Sequence, residues 1–324
     1  MKRRAGNYRI SEKIAETIMS ALAGAGVLVI LFIFGFVFMR ALPVIRESGF
    51  GLFTNTGFDR QVVEAFHTYP PDFTFGFFGL IMGTIVTTSI SLVLASIIGI
   101  GGAVAISEFA PKPLAYVLTS LVRLLASIPS VIFGLIGVFI VVPVIRDLFI
   151  TPELQFRYLH RFQITGLSLL AGVLVLTFML VPTITALSSD AISAVPKRFR
   201  EAGFAMGMTH FRVIRKIILP TGRTGIIAGV ILAAGRGIGE SIAITMVAGN
   251  IGLVPDFTMG FVAFLSPVLP LSPAIMLNAY GMGSEAVTSA LFTSAAILLL
   301  IGAVLSISAR VVMSYMRKKV GYAG

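Results

Sequence analysis

Lys197-Arg198-Phe199-Arg200-Glu201-Ala202-Gly203-Phe204-Ala205-Met206-Gly207-Met208-Thr209-His210-Phe211-Arg212-Val213-Ile214-Arg215-Lys216-Ile217-Ile218-Leu219-Pro220 is a basic, polar stretch set between two long apolar runs. It reads as two short helices with a corner between them. Gly207 can take the left-handed conformation that ends a helix, and Thr209 can cap the next one. The first helix presents the small faces of Ala202, Gly203 and Ala205. The second is amphipathic, with Phe211, Ile214 and Ile218 at helical spacing, Arg212, Arg215 and Lys216 elsewhere, and Pro220 expected to close it. A small-residue patch with a basic rim is shaped to be gripped by another protein. The plainer alternative is a basic loop that merely holds two spans together.

The rest of the chain makes this a loop between membrane spans. Of 324 residues, 56% are hydrophobic and 12% charged, and the mean hydropathy is +0.98. That is too apolar for a soluble domain and marks an all-α polytopic membrane protein. The absence of Cys removes disulfides, thiolate metal sites and Cys nucleophiles. The net charge of +11 does not point to nucleic acid, because most of it lies beside the spans.

Six spans are expected, each near the roughly 20 residues a helix needs to cross. They are Ile18–Met39, Phe77–Ile106, Leu114–Ile145, Leu167–Leu187, Gly225–Ala248 and Ala286–Val312. The third should kink or break at Pro129. Pro43–Phe75 and Arg146–Gln163 read as mixed loops. Gly249–Glu285 carries four prolines, and its longest clean piece, Met259–Leu271, is too short to cross; it should be re-entrant or surface-lying. Residues 1–76 thus hold a tail, the first span and a loop; 77–313 form the transport body with the polar segment 188–224; 314–324 are a second tail. The tail, the Glu108–Pro113 turn, the polar segment and the C-terminal end hold 16 Lys and Arg residues, against five in the three loops opposite, which puts both termini in the cytoplasm.

Charges inside the spans need a reason, at about 2.5–3.5 kcal/mol each on insertion scales. Arg236 and Glu240 stand at i and i+4, with Arg236 about 16 Å beyond Gly225 at 1.5 Å per residue, near the bilayer middle. They are either a structural pair within a helix bundle or a path site, with Arg236 holding an oxyanion and Glu240 orienting it and preventing a permanent trap. Arg123 is a further intramembrane charge, facing the path or snorkelling to the surface.

The spacing Glu201-Ala202-Gly203, three residues, Gly207, nine residues, Ile217-x-Leu219-Pro220 resembles the EAA loop of ABC importer permeases, the element that sits in a groove of the cytoplasmic ATPase. That resemblance implies a type I permease fold and coupling roles for Glu201, Ala202, Gly203, Gly207, Ile217, Leu219 and Pro220. The family usually has Ala where this chain has Gly203, a small-for-small change expected to leave packing intact and the helix slightly less stable. Ala126-Ser127-Ile128-Pro129-Ser130-Val131-Ile132-Phe133-Gly134, Gly235-Arg236-Gly237-Ile238-Gly239-Glu240-Ser241 and Ile106-Ser107-Glu108-Phe109-Ala110-Pro111 resemble segments of the phosphate-specific transport (Pst) permeases. The long first loop is similar to the PstC type. The resemblance implies half of a heterodimeric phosphate path in the inner membrane, with a PstA-type second permease, a PstB-type ATPase dimer and a PstS-type binding protein. No cofactor is implied for the chain itself, ATP being bound by the partner.

Neighbouring readings are the PstA-type sibling or a permease for sulfate or molybdate. An intramembrane enzyme has little to be built from. His67, His160 and His210 lie outside the expected spans, no span holds an Asp, and neither His-Glu-x-x-His nor Gly-x-Ser-x-Gly occurs. No Gly-x-x-x-x-Gly-Lys-Ser/Thr loop occurs either, so the nucleotide needs a separate subunit. A stand-alone channel or receptor would not need the Glu201–Pro220 pattern.

Overall fold

The computed structural model describes the backbone of residues 2–321 and the side chains of residues 16–315. The basic side chains of Lys2, Arg3, Arg4, Arg9, Lys13, Arg317, Lys318 and Lys319, used above to orient the chain, lie outside the described side chains. The helices are α1 (Lys2–Ser48), α2 (Phe58–Glu64), α3 (Phe78–Val104), α4 (Lys112–Ala126), α5 (Ser130–Ile136), α6 (Val142–Phe149), α7 (Pro152–Tyr158), α8 (Leu169–Ser193), α9 (Lys197–Ala205), α10 (His210–Val213), α11 (Leu219–Ile238), α12 (Ile242–Val247), α13 (Val262–Leu265), α14 (Leu271–Asn278) and α15 (Glu285–Gly321). Among the described residues the β-pairing is a single parallel bridge, Gly249 to Val268.

Six helical runs are long and apolar enough to cross a membrane: Glu16–Phe53, Phe78–Phe109, Ser130–Phe149, Leu169–Ser193, His210–Ile238 and Glu285–Tyr315. The number agrees with the sequence, but several boundaries do not. The expected third span splits at Ser127-Ile128-Pro129 into α4 and a separate 20-residue run from Ser130, and only the second piece qualifies as a span by itself. The ring of Pro129 has no N–H, so the helical ladder restarts after it. The fourth helix runs on to Ser193 and so contains Asp190. The fifth begins at His210 and ends at Ile238, not at Ala248, and Pro220 does not close a helix. The π-turn Ile214–Ile218 widens the coil just before it and α11 continues through the proline. Pro43 is likewise carried inside α1, and the loop after it contains α2.

Helix α8 is the hub, with α3 and α11 packed along it. Close approach is set by small residues, as expected where lipid removes the hydrophobic drive between helices. An added Cβ at Gly99 would stand 2.9 Å from Ile184 Cβ, and one at Gly225 2.6 Å from Ala191 Cβ. Ser91 Oγ donates to Thr87 O at 2.7 Å and across the interface to Val173 O at 3.0 Å. Helix α1 leans on α15 at the periphery, where Ser289 Oγ donates to Arg40 O and Phe36 meets Phe292 edge-on.

The segment 249–285 does not cross. It folds back into one end of the bundle, where Val268, Leu269, Leu271 and Ala274 are buried. Leu169 N donates to Ser266 O, Val268 N to Ala248 O, and Leu271 N to Thr84 Oγ1 at 2.9 Å, so its backbone is satisfied inside the protein. Asp59 of α2 accepts from Gly252 N at 2.6 Å and ties the first loop to this plug. Burial pushes the Asp59 carboxyl above the ordinary Asp value, and the Gly252 bond partly offsets that.

Gly99→Leu should overpack the α3–α8 contact at a cost of about 1–3 kcal/mol and lower the thermal midpoint of the detergent-solubilised chain. Gly101→Leu, where nothing lies within 4 Å of an added Cβ, should leave it nearly unchanged. Equal midpoints for the two variants would contradict this packing.

Candidate functional site

At one end of the bundle the corner between α9 and α10 forms as its residues dictate. Gly207 has φ +73°, Gly207 N donates to Phe204 O at 2.9 Å and Met208 N to Gly203 O at 3.1 Å, a paired closure that stops α9. Thr209 stands at the start of α10 in an extended conformation, but its hydroxyl makes no cap hydrogen bond. The buried face of the second helix is Val213, Ile214 and Ile218. Phe211, expected on that face, is exposed. The widened turn starting at Ile214 shifts the phase of the stripe.

Gly203 is buried against this face. A Cβ there would lie 2.6 Å from Ile217 Cδ1 and 3.0 Å from Val213 Cγ2, so Ala would fit only if Ile217 turned aside. Ile217 and Leu219 are half-buried in the same cluster with Ile192, Val195 and Ile226, whereas Glu201, Ala202, Gly207 and Pro220 are exposed. The exposed Phe109 and Phe204 flank His210, whose ring centroid is 5.2 Å from that of Phe109 and 6.1 Å from that of Phe204, and Met206 and Phe211 on the same corner are exposed as well. Apolar side chains gathered so on a surface mark an interaction site.

One carboxylate locks this corner to the bundle. The Glu108 side chain, 5% exposed, follows the end of α3 in the π-turn Ala105–Phe109. Its Oε1 lies 3.0 Å from Arg200 Nη1 and its Oε2 3.5 Å from His210 Nε2. Arg200 Nη2 also donates to Ile192 O at 2.9 Å. Sequence reading quoted Glu108 within a segment but did not assign it; its signal was a lone carboxylate at the end of an apolar run.

Farther into the bundle, two helices stop at one level. Helix α4 ends at Ala126 and α11 at Ile238. Arg236 joins the two breaks: its Nη1 donates to Ala126 O and to Thr183 Oγ1 of α8, both at 3.2 Å. Glu240 lies past the end of α11, where its Oε1 accepts from Ala243 N at 3.1 Å and starts α12. Ser272 Oγ closes the gap from the plug by donating to Gly239 O at 3.1 Å. Among the described residues Arg236 and Glu240 form no ion pair, since the helix that would have stacked them at i and i+4 ends between them. Arg236 lines a cleft of about 790 Å³ with Phe34, Thr183, Gly235, Gly302 and Ser306, and Glu240 is not on its wall.

Arg123 reaches toward α8 with its side chain still largely exposed. Its Nη2 donates to Asp190 Oδ1 at 2.8 Å. Asp190 and Thr183 were missed in the sequence, where Asp190 lay just beyond the expected span and Thr183 was one hydroxyl among many. Among the described residues no group of His, Asp or Glu could hold a metal ion.

The family model described as binding-protein-dependent transport system inner membrane component matches residues 95–322. The chain is similar to a probable ABC transporter permease protein, YqgH, of Bacillus subtilis, at 35% identity over 198 residues, 61% of this chain and 60% of that one. It is similar to the phosphate transport system permease protein PstC of Pasteurella multocida at 33% over 249 residues, 74% of this chain and 75% of that one. Among solved structures, a chain of the inward-facing MetNI methionine ABC transporter superposes with a TM-score of 0.53 at 18% identity, over 72% of this chain and 93% of that one, a likeness of fold.

Glu108→Ala should leave Arg200 without its carboxylate and cost about 1–3 kcal/mol, less than for a wholly enclosed pair because Arg200 is 24% exposed. Hydrogen exchange across 197–212 should rise. Unchanged exchange would mean that apolar packing alone holds the corner.

Proposed function

The chain belongs to the family of binding-protein-dependent transport system inner membrane components, and on that premise we propose that it forms half of the path of an importer for inorganic phosphate. As a multi-pass inner-membrane permease component it is not itself catalytic. Its family membership implies an ATPase and a binding protein. The finer assignment is ours: a second, PstA-type permease, a PstB-type ATPase dimer and a PstS-type binding protein, with this chain in the PstC role. In this reading both termini and the α9–α10 corner face the cytoplasm, supported by the basic residues Lys197, Arg198, Arg200, Arg212, Arg215 and Lys216 around that corner.

The observation that carries the cargo reading is the guanidinium of Arg236 on the wall of the intramembrane cleft. Its partners there are a carbonyl and a hydroxyl, so its charge is oriented but not cancelled, and a tetrahedral oxyanion can take two of its donors. Glu240 is assigned a supporting role, fixing the break that leaves this level open. The corner is assigned to the ATPase, with the exposed Glu201, Ala202, Gly207 and Pro220 offered to it and Gly203, Ile217 and Leu219 packed behind them. The run His210–Ile238 begins at that corner and holds Arg236 near its other end. A push at one end is therefore delivered to the other, about 39 Å away at 1.5 Å per residue.

In proteoliposomes containing the assembled importer, Arg236→Gln should abolish phosphate uptake while the permease still co-purifies with its ATPase. Loss of assembly would instead assign Arg236 to capping Ala126 alone. Ligand-stimulated ATPase activity measured with phosphate, sulfate and molybdate identifies the cargo.

Gly207→Pro, which cannot adopt φ +73° and loses the N–H given to Phe204, should uncouple ATP hydrolysis from uptake or dissociate the ATPase, as should Glu201→Lys. Normal transport by both variants would remove the docking role.

A further inference from the structure

Arg236 and Arg123 reach α8 at successive levels. Arg236 reaches Ala126 O, at the end of α4, and Thr183 on α8. Arg123, one turn back along α4, reaches Asp190, seven residues farther along α8 and so about 10 Å nearer the α9–α10 corner. The two guanidiniums differ in one respect. Among the described residues Arg236 has only neutral acceptors, whereas Arg123 has a full counter-charge at 2.8 Å.

The Arg123 and Asp190 side chains are 60% and 56% exposed, and α4 buries none of its residues within this chain. Charges this open on a membrane-embedded chain face water, a polar path or a neighbouring subunit, since lipid would penalise them. An ion pair in water is held weakly, because solvent screens it and either partner can exchange for another ion. Weak closure is a defect in a structural tie. It suits a site where an anion must be taken up and let go.

We propose that Arg123 and Asp190 form an exchange site for the oxyanion between Arg236 and the cytoplasm, a reading that rests on the oxyanion cargo argued above. An anion leaving Arg236 displaces the Asp190 carboxylate from Arg123. Asp190 then recaptures the guanidinium, and the anion, now facing a carboxylate of like charge, moves on. Arg236 binds because its charge is uncancelled; Arg123 releases because its counter-charge is attached to the next helix.

The test uses the assembled importer, read as initial uptake in proteoliposomes and as radiolabelled phosphate retained by the solubilised complex through a desalting column. Asp190→Asn should slow uptake about tenfold and raise retained label, because a bare guanidinium holds the anion in a charge-assisted bond. Arg123→Gln should slow uptake without raising retention. Adding Arg123→Gln to Asp190→Asn should return retention to the unmodified value. Assembly and thermal midpoint should be unchanged in all three.

Wild-type uptake by Asp190→Asn would overturn the proposal. So would equal losses of uptake, assembly and midpoint in both single variants, the mark of a structural tie or of a contact with the second permease. If the unmodified importer carries sulfate or molybdate and not phosphate, the cargo reading fails while the exchange site is judged with the anion carried. If it carries no oxyanion, both fall.

Discussion

The structure depends on how two interrupted helices satisfy their backbones inside a bilayer. No water is available in lipid to accept the hydrogen bonds that a broken helix leaves open, yet α4 stops at Ala126 and α11 at Ile238. The gaps are closed by side chains: Arg236 gives a donor to Ala126 O, Ser127 Oγ donates to Leu124 O at 2.7 Å, Ser272 Oγ supplies Gly239 O, and Glu240 receives Ala243 N–H. A guanidinium uses few of its five donors on such a task. The group that repairs the break therefore remains available to an anion, and the structural and transport readings of Arg236 are two uses of one side chain.

The polar corner is tied to this level by continuity of helix. Because α10, the π-turn Ile214–Ile218 and α11 form one unbroken run, the surface offered to a motor and the intramembrane guanidinium share a rigid element. Glu108 adds a second connection, since it belongs to the end of α3 and clamps Arg200 and His210. Movement of the corner must then be felt by α3 and α11 together, both of which pack on α8.

The opposite end is built for closure. The plug formed by 249–285 lies against α3 so tightly that a Cβ at Gly79 would collide with Gly252 O, and one at Gly83 would stand 3.2 Å from Leu269 O. Asp59 holds the first loop onto the same plug. Small residues on α3 and proline-rich chain in the plug are thus two halves of one contact. The four prolines, which seemed only to forbid a seventh span, also supply backbone that needs fewer hydrogen-bond acceptors where it is buried.

Hydropathy determined that the chain crosses the membrane six times, because the length of an apolar run is set by bilayer thickness and needs no tertiary information. The corner at Gly207 was also legible, since a left-handed residue is a local matter of backbone sterics. The end of α4 could be read from Pro129 for the same reason. What could not be read was which charges meet. Arg236 and Glu240 looked like a pair at helical spacing, but α11 ends between them, and Arg123 and Asp190 are 67 residues apart in sequence. Glu108 and Arg200 are joined only by the packing of α3 against the corner. Local sterics and hydropathy act along the chain and are written in it. Partner choice among charges depends on distances across the bundle, where a gain of a few ångströms decides the energy, and only the packed helices fix those.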